Sequence, residues 1–169
     1  IELNKKFKFL KKNISLLDLG SFPGGWSQVT EKIVSNGKIL ALDIKPMEKI
    51  KNVDFICGDF EKNEIKEKIL LYFKDKADVV ISDMAADTSG NKSLDSYRTG
   101  QLCIEAMLLA SQILGKNGVF LAKIFMGAIY KEISDNAKNY FKKVAVYKPK
   151  SSKKESKETY IICKGILKI

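Results

Sequence analysis

Short runs of apolar residues alternate with longer amphipathic segments along almost the whole chain. The apolar runs are mostly continuous rather than alternating, which is typical of strands covered by helices on both faces. Strands are predicted at 15–19, 38–43, 53–57, 77–82, 119–124, 144–147 and 159–163. Helices are predicted at about 25–35, 61–74, 96–114 and 128–141, with a polar irregular segment at 87–94 and a turn at 115–118. This alternation predicts a doubly wound α/β fold with a seven-stranded, mostly parallel sheet.

The length and composition agree with one soluble domain. The chain has 169 residues, of which 45% are hydrophobic and 30% charged, so it can bury a sizeable core. No internal repeat or linker is visible, which predicts a single domain over residues 1–169. No apolar run approaches the roughly 18 residues that cross a bilayer, and the first residues lack a signal-peptide pattern. We therefore expect a monomeric cytoplasmic protein.

Charge and residue content narrow the chemistry. The net charge of +10 favours a polyanionic partner, although the basic residues are lysines except for Arg98, a bias that an A/T-rich genome also produces. The chain contains no histidine, which excludes Ser-His-Asp catalysis and histidine-ligated metals. Cys57, Cys103 and Cys163 show no metal-binding spacing and are expected to be reduced core thiols. No metal site is predicted.

A glycine-rich turn follows the first predicted strand and precedes a helix. It contains Gly20, Pro23, Gly24 and Gly25, and glycines at such a place let the backbone approach a ligand closely. The turn does not match the G-x-G-x-x-G dinucleotide fingerprint, which argues against a nicotinamide cofactor. Trp26 follows the glycines directly. We expect it to contact the cofactor, the alternative being that it packs between the first helix and the sheet.

Three acidic residues end the next strands. Asp43 follows the second strand, where a carboxylate can accept hydrogen bonds from both ribose hydroxyls of an adenosine. Asp59 follows the third strand, within reach of an adenine amino group, and Asp83 closes the fourth. Ligands of open α/β sheets bind at the carboxyl ends of the strands. Together with the glycine turn, these acids predict a pocket for S-adenosylmethionine, an adenosine that carries a positive charge.

Motifs along nearly the whole chain resemble the FtsJ family of ribose 2′-O-methyltransferases. The matching segments are L-D-L-G-S-F-P-G-G-W-S-Q (17–28), D-I-K-P-M (43–47), G-D-F (58–60), V-I-S-D-M-A (80–85), A-K-I-F-M-G (122–127), K-P-K-S-S (148–152) and S-K-E-T-Y-I (156–161). Many methyltransferases share the glycine turn, whereas the later segments are far more specific. The resemblance implies a Rossmann-like, S-adenosylmethionine-dependent methyltransferase fold.

The resemblance also implies a catalytic tetrad of Lys, Asp, Lys and Glu. It places three members at Asp83, Lys123 and Glu158, while the first lysine would lie about two residues before Ile1. Lysine must be neutral to take a proton from a hydroxyl, and we expect Lys123 to be this general base. Each residue alone has a plainer interpretation, a surface lysine or an edge-strand acid. Their occurrence together favours the tetrad.

The family methylates a uridine of 23S ribosomal RNA within the large ribosomal subunit, so the resemblance implies this partner. Basic residues at 5–12 and 142–157 are the expected phosphate contacts, and Tyr147 and Tyr160 are candidate stacking surfaces. Two alternatives stay open at this stage: that the substrate is tRNA or an mRNA cap, and that the protein binds RNA without catalysis. A third, a nicotinamide dehydrogenase, fails on the glycine pattern and on the lack of histidine, although a lysine or tyrosine could serve as its acid.

Overall fold

One mixed sheet organises the protein. The computed structural model describes residues 1–127, 129–150 and 158–167, and for Glu158 it describes the backbone alone. The strands of this part are β1 (Ser15–Leu19), β2 (Lys38–Asp43), β3 (Asp54–Cys57), β4 (Ala77–Ser82), β5 (Leu114–Phe125), β6 (Phe141–Tyr147) and β7 (Glu158–Ile166). They are ordered β3-β2-β1-β4-β5-β7-β6, and β7 runs antiparallel to both its neighbours. The predicted mostly parallel, seven-stranded sheet is confirmed.

Helices cover both faces of the sheet. They are α1 (Glu2–Phe7), α2 (Gly25–Ile33), α3 (Asn63–Tyr72), α4 (Lys92–Ile113) and α5 (Tyr130–Tyr140). On one face, Leu17 and Leu19 pack with residues of α3, α4 and α5. On the other face, Leu16 packs with Leu3 of α1 and with Trp26 of α2. Because neighbouring residues of a strand face opposite cores, most positions of the buried strands are apolar, which explains the continuous runs in the sequence.

The strand order reverses beside β1, and this places several strand ends together. The chain runs outward from β1 through β2 to β3, and then returns to add β4 and β5 on the other side. Main-chain hydrogen bonds continue beyond the strands: the Asp83 amide donates to the Leu19 carbonyl, and the Gly58 amide donates to the Asp43 carbonyl, both at 2.9 Å. The predicted acids therefore lie at one edge of the sheet, at its topological switch point.

Two helix starts differ from the sequence prediction. Helix α4 begins at Lys92 rather than near residue 96, because the side-chain oxygen of Asn91 accepts hydrogen bonds from the amides of Ser93 and Leu94. Helix α1 was not predicted, since it is short and mostly polar. It is held by the buried side chain of Leu3 and by the Asn4 side chain, which accepts from the Leu10 amide at 2.8 Å.

Strand β5 begins earlier than the pattern indicates. The predicted turn at 115–118 lies within its bounds, where the pairing register with β4 shifts between Ala77 and Val79. The four residues form an irregular insertion in the strand rather than a separate connection, and strands resume regular pairing at Val119. The regular part of β5 agrees with the predicted strand.

The cysteines divide into two classes. Cys103 and Cys163 are buried, as expected, and burial raises the pKa of the Cys103 thiol to about 12. The prediction of a core position is wrong for Cys57, which is exposed because it ends the outer strand β3. None of the helices in the described ranges is both long and apolar enough to cross a membrane.

Candidate active site

A cleft of about 540 Å³ opens at the carboxyl ends of β1, β2, β3 and β4. It is lined by Gly20 and Phe22 of the glycine turn, by the residues that follow these strands, and by residues of α4 between positions 98 and 102. The lining residues are Gly20, Phe22, Leu42, Asp43, Ile44, Lys45, Gly58, Asp59, Phe60, Glu61, Asp83, Met84, Ala85, Ala86, Asp87, Arg98, Gln101 and Leu102. The volume suits a nucleoside-sized ligand.

Gly20 lets the turn lie against the wall of the cleft. Its φ is +74°, and a Cβ at this position would lie 2.8 Å from the Met84 backbone nitrogen. Any side chain here would therefore be strained and would also collide with the backbone after β4. A glycine is required so that β1 and β4 can present their ends to the same ligand.

Asp43 is held rigidly at the cleft. One carboxylate oxygen accepts from the Phe22 amide and the other from the Lys45 amide, each at 2.9 Å. These bonds tie the glycine turn to the end of β2, and each oxygen keeps a lone pair for a ligand. Asp59 is oriented similarly, because its Oδ1 accepts from the Glu61 amide at 2.9 Å. Both acids face a ligand with fixed geometry.

Lys123 and Asp83 form an ion pair beside this cleft. The Lys123 Nζ lies 3.0 Å from the Asp83 Oδ1, and the two side chains are 14% and 28% exposed. Asp83 lines the cleft, whereas Lys123 is not among the lining residues and lies on β5, next to β7. The Oδ1 atom is buried and accepts no well-aligned hydrogen bond from the described residues, so the ammonium group compensates its charge. The pair thus joins the cleft to the adjoining surface.

The backbone of Glu158 lies at the start of β7, opposite Phe125 of β5. Two residues further along, Tyr160 pairs with Lys123, so the backbones of these predicted catalytic residues are close in the sheet. The side chain of Glu158 lies outside the described residues, as do residues 151–157 of the second basic segment. The catalytic role of Glu158 remains a prediction.

The predicted cofactor residues separate into two groups. Gly20, Asp43, Asp59 and Asp83 line the cleft. Pro23, Gly24, Gly25 and Trp26 are not among the lining residues, and Gly25 and Trp26 form the start of α2. The Trp26 ring instead meets the Tyr160 ring edge-on, with centroids 6.3 Å apart. This contact agrees with the packing alternative, and the expected contact of Trp26 with the cofactor stays a prediction.

Other residues of the cleft were not predicted. Arg98 and Gln101 reach it from α4, and Met84 packs beside Gly20. Arg98 could have been suspected as the single arginine of a lysine-rich chain. Met84 follows Asp83 within the motif V-I-S-D-M-A, whereas Gln101 carries no signal in the sequence, because it reaches the cleft only through the packing of α4.

Asp18 is a buried acid that the sequence interpretation overlooked. Its side chain is fully buried in β1, and its Oδ2 accepts from the Ser27 hydroxyl at 2.6 Å. Burial raises the pKa of Asp18 to about 7, the Ser27 hydrogen bond opposes this, and the nearby charges of Asp83 and Asp43 add to it. Within the described residues, Asp18 Oδ1 and Ser21 Oγ are buried and unpaired. An acid inside an apolar run was the available signal.

The raised pKa of Asp18 predicts a pH-dependent stability. The folded protein holds a proton that the unfolded chain releases above the ordinary value of 3.8, so this contribution is full below that pH and is lost as pH rises towards 7. Asp18→Asn, which keeps an acceptor for Ser27, should therefore become more stable relative to wild type between pH 4 and pH 8. Each unit of difference between the folded and unfolded pKa corresponds to about 1.4 kcal/mol, so the gain in unfolding free energy should reach a few kcal/mol.

Urea unfolding at several pH values, without cofactor, measures this difference. Asp95→Asn is the control: hydrogen bonds from Ser89 lower the pKa of the exposed Asp95, so the difference from wild type should change only below the ordinary value of 3.8 and stay constant between pH 4 and pH 8. Parallel stability curves for wild type and Asp18→Asn would contradict the prediction.

Lysines of α1 and β7 contact the aromatic residues Tyr147 and Phe7. Lys6 Nζ lies 4.2 Å from the centre of the Tyr147 ring, and Lys164 Nζ donates to the Phe7 carbonyl at 2.8 Å. Tyr147 is half-buried, whereas Tyr160 is 8% exposed and packs in the core. Tyr160 therefore does not offer the stacking surface that was considered for it.

The cleft suits S-adenosylmethionine on the geometry of its own residues. The cleft has the volume of a nucleoside-sized ligand, and Asp43 and Asp59 present oriented acceptors that the ribose and adenine of the cofactor are expected to use. Asp83 adds a further carboxylate to the lining. The fold and this cleft define an S-adenosylmethionine-dependent methyltransferase.

Comparison with known proteins gives the family. Residues 1–166 match the model of the FtsJ-like methyltransferases, and the chain belongs to this family. It is 49% identical over 164 residues to the ribosomal RNA large subunit methyltransferase E of Pelagibacter ubique, covering 97% of this chain and 81% of that protein. The protein of the same name from Rickettsia akari is 40% identical over 168 residues, covering 96% and 74%.

Solved structures support the same fold. A ribosomal RNA methyltransferase from Plasmodium falciparum superposes with a TM-score of 0.86 at 32% identity, covering 98% of this chain and 93% of that one. A methyltransferase from Streptococcus mutans in complex with SAH has a TM-score of 0.64 at 15% identity, covering 97% and 95%. The second likeness concerns the fold alone.

Proposed function

We propose that this protein transfers a methyl group from S-adenosylmethionine to the ribose 2′-hydroxyl of a uridine in 23S ribosomal RNA. The observation that carries the proposal is the Lys123–Asp83 ion pair, which joins the acid-lined cleft to the neighbouring surface. An amine beside a methyl-donor cleft is what deprotonation of a hydroxyl requires. The names of the Pelagibacter and Rickettsia relatives support large-subunit RNA as the substrate.

The mechanism places two demands on the protein. Bound S-adenosylmethionine supplies a methyl group that its sulfonium has already activated. The chain must then align the 2′-oxygen behind that methyl group and take up the proton that the oxygen loses. Lys123 is the proposed acceptor of the proton, and Asp83 orients the amine through the 3.0 Å contact. Glu158, at the start of β7, is the proposed further member that orients the ribose.

RNA is proposed to reach the site across the basic surface around α1 and the end of β6. Lys6 and Lys148 are described members of this surface, which continues in sequence through residues 151–157 towards Glu158. Phosphate contacts of this kind position RNA without selecting its sequence. The selection of one uridine is therefore assigned to the shape of the large subunit rather than to base contacts of the described residues.

The proposal includes a setting for the reaction. We propose that the protein acts as a monomer in the bacterial cytoplasm on the assembled or nearly assembled large subunit. Bacterial relatives with a ribosomal substrate in their names support this setting. Sedimentation of the purified protein alone and with large subunits tests both the oligomeric state and the partner.

A substrate panel tests the proposed function. Methyl transfer from labelled S-adenosylmethionine should be detected on large ribosomal subunits that lack the modification, and should be at least about 100-fold weaker on tRNA or capped RNA. Subunits that already carry the methyl group are the matched control. Preferred transfer to tRNA or to a cap would contradict the substrate, and cofactor binding without transfer to any RNA would favour the non-catalytic alternative.

A further inference from the structure

Helix α1 is joined to the end of strand β6 by one carboxylate. Glu2 lies in the first turn of α1, and its Oε1 accepts from the Tyr147 hydroxyl at 2.7 Å and from the Lys150 amide at 2.8 Å. Tyr147 is the last residue of β6, and Lys150 lies three residues further along the chain. A single oxygen therefore holds the end of β6 and the residues that follow it up to Lys150, all within the second basic segment (142–157).

Tyr147, which bonds to Glu2, lies in the same row of paired residues across β6, β7 and β5 as Lys123. Tyr147 pairs with Tyr160 of β7, and Tyr160 pairs with Lys123 of β5. A displacement of the end of β6 would therefore act on a row that contains the proposed general base. In the sequence, Lys150 lies eight residues before Glu158, the third predicted tetrad member.

Other contacts hold α1 in place without Glu2. Leu3 is buried, the Phe7 ring meets the Tyr147 ring edge-on at 5.7 Å, and Lys164 Nζ donates to the Phe7 carbonyl. Removal of the Glu2 carboxylate should therefore leave the helix packed. The effect specific to Glu2 is the placement of the chain around Lys150, since no apolar contact replaces a lost amide hydrogen bond there.

We infer that Glu2 is a positioning residue for RNA: its carboxylate fixes the stretch from Tyr147 to Lys150, which belongs to the second basic segment, relative to α1 and to the row that contains Lys123. The inference rests on the proposed function, because it assigns the basic segment to the RNA substrate. Glu2 touches neither the cleft nor the ion pair through any hydrogen bond described above, so its effect is expected on RNA binding rather than on cofactor binding or on the chemical step.

Glu2→Ala and Glu2→Gln, made in the full-length protein, separate this role from a general structural one. Both bonds end on the same oxygen, and the glutamine carbonyl can accept them equally well. Glu2→Ala should raise KM for large subunits roughly tenfold, with kcat and the cofactor Kd changed by less than about twofold. Glu2→Gln should remain close to wild type. Glu64→Ala is the matched control, because Glu64 is an exposed acid in the first turn of α3.

Hydrogen exchange gives a measurement that does not depend on activity. The Lys150 amide should exchange at least about tenfold faster in Glu2→Ala than in wild type or in Glu2→Gln. Tyr147→Phe, which keeps the ring contacts, should give a smaller change in the same direction. Faster exchange with an unchanged KM, or equal losses in Glu2→Ala and Glu2→Gln, would overturn the inference. Absence of transfer by the wild-type protein would instead count against the proposed function.

Discussion

Replacement of Lys123 with alanine is expected to lower the single-turnover rate of methyl transfer by about 10³-fold, because the reaction loses the amine that takes the hydroxyl proton. The cofactor Kd should change by less than about threefold, since Lys123 does not line the cleft. Single-turnover assays with excess enzyme measure the rate, and isothermal titration with S-adenosylmethionine measures the cofactor Kd.

Two further variants test whether the loss of rate is specific to the amine of Lys123. Lys123→Arg keeps the positive charge beside Asp83 but cannot release its proton in a protein, so it should be as inactive as the alanine variant. Lys116→Ala removes an exposed lysine from the same strand, at the opposite edge of the sheet, and should be fully active. A near-normal chemical step in Lys123→Ala, or an active Lys123→Arg, would refute the assignment of Lys123 as general base.

Replacement of Asp43 with alanine should weaken S-adenosylmethionine binding by about 100-fold or more. The carboxylate is predicted to accept from the ribose hydroxyls, and charged hydrogen bonds each contribute about 1.5–3 kcal/mol. It also holds the Phe22 and Lys45 amides, so its loss frees the glycine turn from β2. Isothermal titration with S-adenosylmethionine, at the same pH for each variant, gives the two dissociation constants.

Asp78→Ala is the matched control for this experiment. Asp78 is also a strand carboxylate that accepts a main-chain amide, from Ser15 at 2.8 Å, but it lies at the edge of the sheet opposite the cleft. Both variants should lose about 1–2 kcal/mol of unfolding free energy, because each removes support from a strand end. Equal cofactor affinity in Asp43→Ala and Asp78→Ala would show that Asp43 does not bind the ribose.

The strands were predictable because burial on two faces leaves a clear pattern in the sequence. The run L-L-D-L of β1 and the run A-D-V-V-I-S of β4 are apolar at nearly every position, and both strand bounds agree with the prediction. The positions of Asp43, Asp59 and Asp83 follow from the same pattern, because residues after parallel strands meet at one edge. The cleft was therefore predictable in outline.

Contacts between distant segments could not be predicted in this way. The packing of Trp26 against Tyr160 joins α2 to β7, and the contact of Glu2 with Tyr147 joins the first helix to β6. Neither pair has a spacing that periodicity can reveal, because each depends on how helices lie across the assembled sheet. The pKa of Asp18 has the same origin, since its burial and its neighbours Asp43 and Asp83 exist only in the folded state.

The position of the transferred methyl group tests the central claim most directly. Large subunits lacking the modification are methylated by the wild-type protein, and the RNA is then hydrolysed with alkali. A methyl group on the 2′-oxygen prevents that oxygen from cleaving the next phosphodiester, so the label should be recovered in one alkali-resistant dinucleotide that begins with uridine. Recovery of the label in a mononucleotide, with the methyl group on the base, would contradict the account.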